Sequence, residues 1–415
     1  MKLLVVTQYF WPETFIIQDL VRTLSEQGHS VVVLTGKPNY PGGNVFLGYE
    51  EASIQKETYA GCIEVNRVPL RARRRGAVNL FRNYLSFVWS GIRWFPKMVK
   101  GRDVDAILVF APSPITAAIP AIYLKWRKKA HLALWIQDLW PESLYATGYI
   151  RNPLALVLVG HVVRWIYRMC DTLLIQSRAF YDPVARYGSE EKIVYYPNSI
   201  DGDINRGNDG VCDELPSALI DVLDSHFCVV FAGNIGKAQS IPTLIEAARQ
   251  LKDMSDVKFI LVGSGSMLDW AREQQVSLGL SNLVLAGRFS MGVMPDIYRR
   301  ASALVVTLTD EAIFAQTIPS KVQAYLAAAK PIIGALNGEG ARVIQEAQAG
   351  LTSPAEDSEA LARCVRTIYE MSSEDRNLLG AAGRRYFETH FEMRSQAKRL
   401  IEVLTQRIEK TGSNN

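Results

Sequence analysis

Short runs of Val, Ile and Leu alternate along most of the chain with stretches in which apolar residues recur every three or four positions. The runs read KLLVVTQ, SVVVLT, DAILVF, HLALWIQ, TLLIQS and KIVYYP in the first half, then FCVVFAG, KFILVGSG, NLVLAG, ALVVTL and KPIIGA in the second. Continuous apolar runs separated by helical patterns predict parallel strands covered on both faces. Right-handed crossovers then fold them into two doubly wound α/β units. The segment from Asn198 to Pro216, NSIDGDINRGNDGVCDELP, breaks the alternation. It is rich in Gly, Asn and Asp and poor in apolar residues, as a linker is. In open sheets of this kind ligands bind beyond the carboxyl ends of the strands. Two such edges facing each other make a deep cleft, so the polar residues that follow strands are the ones to examine.

Length and composition agree with that division. A chain of 415 residues exceeds one comfortable core, and 48% hydrophobic with 21% charged residues is globular in kind. Five scattered cysteines, without a C-x-x-C pair, suit a reducing compartment and neither a disulfide nor a zinc framework. The start, MKLLVVTQYFWPE, reads as a first strand rather than a signal peptide. No run reaches the roughly 18 apolar residues that span a bilayer. The nearest, PLALVLVGHVVRWIY from Pro153 to Tyr167, is interrupted by His161 and Arg164 and reads as a buried or interfacial helix.

Three carboxylates fall on the predicted binding edge of the first half: Glu13 in TQYFWPETF, and Asp138 and Glu142 in DLWPES. They suit acid, base or acceptor-hydroxyl roles, or equally the capping of a first helical turn. In the second half AGNIGKAQS (Gly233, Asn234, Gly236, Lys237, Gln239) and GSGSM (from Gly263) each follow a strand and open a helix. Such turns present backbone N–H donors to a phosphate, although tight strand-to-helix packing alone also selects glycine there. A third helix start, IPSKVQAYLAAAKPII, places Pro319, Ser320 and Lys321 together. With Lys237, Arg288 and Lys321 nearby in the pattern, an anion site in this half is expected. No metal constellation emerges from the five dispersed histidines, and Asp103 to Asp105 (DVD) precedes a strand, opposite the binding edge.

Taken in order, QYFWPE, TGKPNYPGG, QDLWPES, AGNIGKAQS and IPSKVQAYLAAAKPII, with Pro197-Asn198 at the domain junction, resemble the GT-B glycosyltransferases, specifically the retaining family 4. The resemblance covers nearly the whole chain. It is similar to the bacterial subgroup that transfers amino-deoxy sugars such as N-acetylfucosamine or N-acetylquinovosamine, and to colanic acid glycosyltransferases, in O-antigen, capsule or colanic-acid assembly. The resemblance implies an acceptor-binding domain over 1–203, a nucleotide-sugar-binding domain over 204–385, and a helix over 386–415 that crosses back to the first. It implies a UDP-linked donor, no required metal or other cofactor, and transfer with retention. The acceptor would be a saccharide on a polyprenyl diphosphate at the inner face of the cytoplasmic membrane. Departures are visible. The family's Arg and Lys around its GR…KG turn correspond to Asn234 and Gln239, its two glutamates to Gln316 and Ala324, and its catalytic-region histidine to Gln137. Lys237, Lys321 and Arg288 are then expected to supply positive charge, with the amides of Gly233 to Lys237 and of Ser320 as hydrogen-bond donors.

The formal charge of +4 is unevenly distributed. From Val65 to Arg102 no acidic residue occurs, but ten basic ones do, among them Arg73, Arg74, Arg75 and Arg82. Interleaved aromatics, including Trp89 and Trp94, make the segment 71–102 a candidate interfacial helix drawn to anionic lipid. The competing readings are a core helix with a basic end and a nucleic-acid surface, the latter without any recognition fold beside it. As alternatives to a transferase, an epimerase or hydrolase of a nucleotide sugar would need no acceptor, and an inactive membrane-associated scaffold would bind no nucleotide diphosphate.

Overall fold

The computed structural model describes residues 1–74, 76–202 and 215–412. Arg75, and the expected division between 203 and 204 within the linker, lie outside the described residues. The chain forms two compact units, Met1–Asn198 with Met393–Asn415, and Ser199–Glu392.

The first unit contains an eight-stranded sheet. Its strands are β1 (Lys2–Val6), β2 (Ser30–Thr35), β3 (Gln55–Tyr59), β4 (Ile63–Arg67), β5 (Ala106–Ala111), β6 (His131–Ile136), β7 (Thr172–Ile175) and β8 (Ile193–Tyr195). They lie in the order β3-β4-β2-β1-β5-β6-β7-β8. All neighbours are parallel except β3 with β4. That hairpin was not among the expected strands, because QKETY is polar up to Tyr59, as suits the edge strand, and IEVNR is interrupted by Glu64, Asn66 and Arg67, so neither is an apolar run. Helices α1 (Ile17–Glu26), α2 (Ala77–Met98), α3 (Ala118–Lys128), α4 (Glu142–Ala146), α5 (Pro153–Met169) and α6 (Tyr181–Ala185) connect the strands.

The second unit holds a parallel sheet of β9 (Phe227–Ala232), β10 (Val257–Val262), β11 (Leu283–Gly287), β12 (Ala303–Thr307), β13 (Ile332–Ala335) and β14 (Gly350–Ser353), ordered β11-β10-β9-β12-β13-β14. Its helices are α7 (Ser217–Ser225), α8 (Ile241–Gln250), α9 (Leu268–Ser277), α10 (Met294–Arg300), α11 (Ala312–Ala315), α12 (Ser320–Ala327), α13 (Glu339–Glu346), α14 (Ser358–Glu370) and α15 (Ser373–His390). The last helix, α16 (Met393–Gly412), belongs to the first unit. Residues 386–392, expected with this returning helix, end the second unit instead.

Each sheet is covered on both faces, as continuous strands require. In the first unit, α2, α3 and α5 pack on one core built from alternate strand residues such as Val6 and Val109. α1 and α16 pack on the other, around Val5, Leu108 and Trp135. In the second unit α12 and α13 cover one face, while α8 and α14 cover the other. Strand order reverses at β1 and at β9, the switch points beside which doubly wound sheets bind ligands.

Candidate functional site

At the carboxyl edge of the second sheet the chain leaves β9 through Gly233, at φ +131°, and leaves β10 through Gly263, at φ +142°. A Cβ on Gly263 would lie 1.8 Å from the Gly233 carbonyl oxygen, and one on Gly233 would lie 2.7 Å from Lys321 Cε. Both positions therefore require glycine. Their closeness lets the two strand-end loops zip together: Gly233 N–H donates to Val262 O at 2.8 Å, and Ile235 N–H to Ser264 O at 2.8 Å. Next to them α12 begins after Pro319, whose extended backbone precedes the first turn. One turn into α12 the Tyr325 hydroxyl accepts the Ala232 N–H at 3.0 Å, fixing this helix to the end of β9.

These elements surround a cavity of about 1100 Å³. Of the expected donor-site residues, Gly233, Asn234, Gln239, Gly263, Arg288, Ser320 and Lys321 line it. Gly236, Lys237, Gln316 and Pro319 are not among the lining residues. Lys237 is exposed and opens a single 3₁₀ turn, Lys237–Gln239. α8 starts only at Ile241, after Ser240 at φ +42°. The AGNIGKAQS turn is thus a folded loop before the helix rather than its first turn. Two of the amides expected to face an anion, those of Gly233 and Ile235, are already donated to the neighbouring loop.

Lys321 is the best-defined cation of the cavity. Its Nζ stands 3.8 Å from the centroid of the Phe231 ring and donates to the side-chain oxygen of Gln239. Gln239 is itself anchored, because its backbone carbonyl accepts the Thr307 hydroxyl at the end of β12. Burial pushes the Lys321 ammonium down to about 7, since a desolvated charge without a counter-ion favours the neutral amine. An anion entering the cavity would reverse that balance. Arg288, by contrast, is exposed at the mouth. Asp201 is the one carboxylate among the described lining residues. Sequence reasoning missed it, along with Phe289, Ser290 and Met291, although the last three directly follow Arg288 after β11 and share its positional signal. Ala324, where the family keeps a glutamate, also lines the cavity.

The carboxylates of the first unit behave differently from one another. Glu13 is buried, and both its oxygens accept backbone N–H groups: Phe10 at 3.1 Å on one, Asn39 and Tyr40 at 2.8 Å on the other. Glu13 therefore ties the loop after β1 to the loop after β2. Burial raises it to about 7, against the pull of the three amides. Asp138 lies in the loop after β6 and accepts the Trp140 indole N–H at 3.1 Å; burial raises its pKa as well. Glu142 is the first residue of α4, the position that the capping reading describes. Gln137 has its side-chain nitrogen buried without a partner, while its carbonyl accepts Gln176 Nε2 at 2.7 Å. Asn198 donates to Gln176 Oε1 at 2.8 Å, at the end of the first unit's main segment.

In the basic aromatic segment, Phe87 and Phe95 are core residues, and Tyr84 and Trp94 pack partly against that core. Trp94 also lies beneath Lys97, 4.5 Å from its ring centroid. Trp89 and Phe81 are exposed, and so is Arg82. Arg73 stacks over Tyr40 at 5.4 Å, and Arg74 turns the chain at φ +43°.

Residues 14–199 match the family described as a glycosyl transferase 4-like domain, and residues 226–371 match glycosyl transferases group 1. The chain is 23% identical over 287 residues to WbjE of Pseudomonas aeruginosa, a glycosyltransferase by its provisional name. That match covers 65% of this chain and 66% of WbjE, just under two thirds of its length. It is 25% identical over 354 residues to WcaI of Escherichia coli (strain K12), provisionally named a colanic acid biosynthesis glycosyl transferase, covering 84% of this chain and 83% of that one. Among solved structures, Anabaena Alr3699/HepE in complex with UDP is similar with a TM-score of 0.66 at 14% identity, covering 98% of this chain and 100% of that chain.

Proposed function

The chain belongs to the glycosyl transferases, of the 4-like domain family over 14–199 and of group 1 over 226–371, its two α/β units being the GT-B architecture, and from that premise we propose a transfer reaction on a nucleotide-diphosphate sugar. The donor is UDP-linked and carries an N-acetylated amino-deoxyhexose. The acceptor is a saccharide on a polyprenyl diphosphate, and the product serves bacterial surface polysaccharide such as O-antigen or capsule. The reaction is metal-independent and retaining, of the family 4 kind. It takes place on the cytoplasmic side, with the basic aromatic α2 segment against an anionic membrane. The reading draws on WbjE being named a glycosyltransferase, on WcaI being named a colanic acid biosynthesis glycosyl transferase, and on the HepE structure holding UDP.

The observation that carries this reading is the desolvated lysine in the second unit's cavity. As a glycosidic bond to a nucleotide diphosphate breaks, negative charge gathers on the leaving diphosphate, and a preorganised cation in a low-dielectric site stabilises it best. Lys321 is preorganised by Gln239 and Phe231 and desolvated by its surroundings. Gln239 and Asn234 then act as neutral positioning groups in place of the family's Lys and Arg, with Arg288 as a second, exposed cation at the mouth. Among the first unit's carboxylates we assign Asp138 and Glu142 to the acceptor and Glu13 to holding the two loops.

Nucleotide binding tests the reading. UDP at about 100 times its Kd should stabilise the protein by about 2.7 kcal/mol in thermal unfolding. Lys321→Met should weaken UDP binding by at least about tenfold. The free ammonium titrates at about 7, whereas binding a diphosphate requires it protonated. Wild-type affinity should therefore be highest below pH 7 and fall as pH rises above it, and the variant should lose that slope. Stabilisation by no nucleotide diphosphate, or an unchanged affinity in the variant, would overturn the assignment. Transfer of labelled sugar from UDP to a butanol-extractable lipid acceptor, rather than release of free sugar or epimer, separates the transferase from a hydrolase or epimerase.

A further inference from the structure

α2, α3 and α5 form one layer over the first sheet. α3 packs against both of the others, and all three bury a face in the same core. Their outer faces therefore turn the same way, away from the sheet. On α5 that outer face carries Leu154, Val157, Leu158, Val162 and Trp165, each between 41% and 75% exposed, among the exposed His161, Arg164 and Arg168. The opposite side of the same helix is fully enclosed at Val163 and Ile166. The enclosed side of α5 is apolar, while its open side mixes large apolar with basic residues, the make-up of an interfacial helix. α2 repeats the pattern with Val78, Phe81, Leu85 and Trp89, spaced three and four apart and 49% to 70% exposed. Trp126, near the end of α3, is 62% exposed.

The charge of this layer is one-sided. The three helices contain no Asp or Glu, while Arg82, Arg93, Lys97, Arg127, Arg164 and Arg168 lie along them. The opposite face of the same sheet is covered by α1 and α16, in which both signs are mixed, as with Asp19, Arg22 and Glu26 on α1. The bias therefore belongs to one face of the unit.

We propose that this whole face, with α5 as its largest apolar element, docks into the interface of an anionic bilayer, extending the membrane contact well beyond α2. α5 has 17 residues, with Arg164 and Arg168 near its end, and among the described residues no helix is long and apolar enough to cross a membrane. It lies in the interface, apolar side down, with the arginines at the headgroups. The charge pattern selects the occupant. A second copy presenting the same face would set arginine against arginine, whereas anionic headgroups supply the opposite sign. The inference rests on the first unit alone and does not depend on the donor assignment.

Vesicle flotation of the full chain tests it, using phosphatidylcholine with and without phosphatidylglycerol, at low and high salt. Wild-type protein should float with the anionic vesicles and less so at high salt. Leu154→Ser/Leu158→Ser/Trp165→Ser should reduce partitioning at least about tenfold with α2 untouched. Arg164→Glu/Arg168→Glu should do the same on anionic vesicles, and Val276→Ser, an exposed apolar position in the second unit, should leave it unchanged. All the replaced side chains are exposed, so UDP-dependent thermal stabilisation should persist in the variants; its absence already in wild type would count against the donor reading alone. The proposal fails if wild type does not float, or if both α5 variants float like wild type. It also fails if wild type self-associates without vesicles through a contact that the serine variant abolishes.

Discussion

Single atoms decide the second unit's cavity. Gly263 and Gly236 are both glycines of strand-end turns, yet their surroundings give them different weights. A Cβ at Gly263 meets a backbone carbonyl at 1.8 Å with φ in the left-handed half of the map. At Gly236 the nearest atom is the end of the Asn234 side chain, 2.5 Å away, which can swing aside, and φ is −120°. Gly263→Ala is expected to cost at least about 3 kcal/mol and to abolish UDP-dependent stabilisation, because the β9 and β10 loops would have to part. Gly236→Ala should cost under about 1 kcal/mol. Thermal unfolding of the two variants side by side checks this, and equal losses would contradict it. The glycine pattern was legible in the sequence. That only one of these two is hemmed in by backbone depends on how the second loop folds against the first.

Among the elements, the loops after β1 and β2 show what a buried carboxylate can do without touching a substrate. Three backbone N–H groups from two loops converge on Glu13. Glu13→Ala would leave these donors without an acceptor, at an expected cost of about 3 kcal/mol. The pH dependence has a definite sign. Because Glu13 is raised to about 7 in the folded protein, its contribution is fully present below the ordinary glutamate range. It is lost as pH rises toward 7, since the folded state holds the proton that the unfolded chain releases. The gap in unfolding free energy between wild type and Glu13→Ala should therefore narrow between about pH 4.5 and 7, and denaturant melts across that range would show a constant gap if the reading is wrong. In the sequence Glu13 looked like one of three equivalent candidates. Only the loop conformations separate it from Asp138 and Glu142.

For the whole molecule, the chain returns to the first unit through α16, which places Met393, Ala397, Leu400 and Leu404 in the core beside Leu20 and Leu24 of α1. The Tyr196 hydroxyl donates to Gln396 O at 3.0 Å, and Arg399 donates to Tyr195 O at 3.1 Å. Truncation after Glu392 would expose these side chains, a loss of roughly 6 kcal/mol of burial. That is comparable to the stability of a whole domain. The truncated chain should lose the first unit's protease resistance while the second unit keeps its own, and an unchanged digestion pattern would show that α16 is dispensable.

The alternation of apolar runs and helical patterns was enough by itself to specify two parallel α/β units, since a strand apolar on both sides has no alternative to being covered on both sides. The order of the motifs was likewise enough to identify the family, and the glycine, serine and lysine positions pointed to the cavity at the edge of the second sheet. What the tertiary structure decided is which surfaces find a partner. It enclosed Lys321 and left Lys237 in solvent, although both are lysines near helix starts. It used the amides of Gly233 and Ile235 to bind one loop to another. It also covered one side of α5 and left open the other, where Leu154, Leu158 and Trp165 stand among His161, Arg164 and Arg168. Periodicity records how much apolar surface a segment carries, but whether that surface is buried depends on neighbours far away in sequence, and this is where the unmatched face of the first unit comes into view.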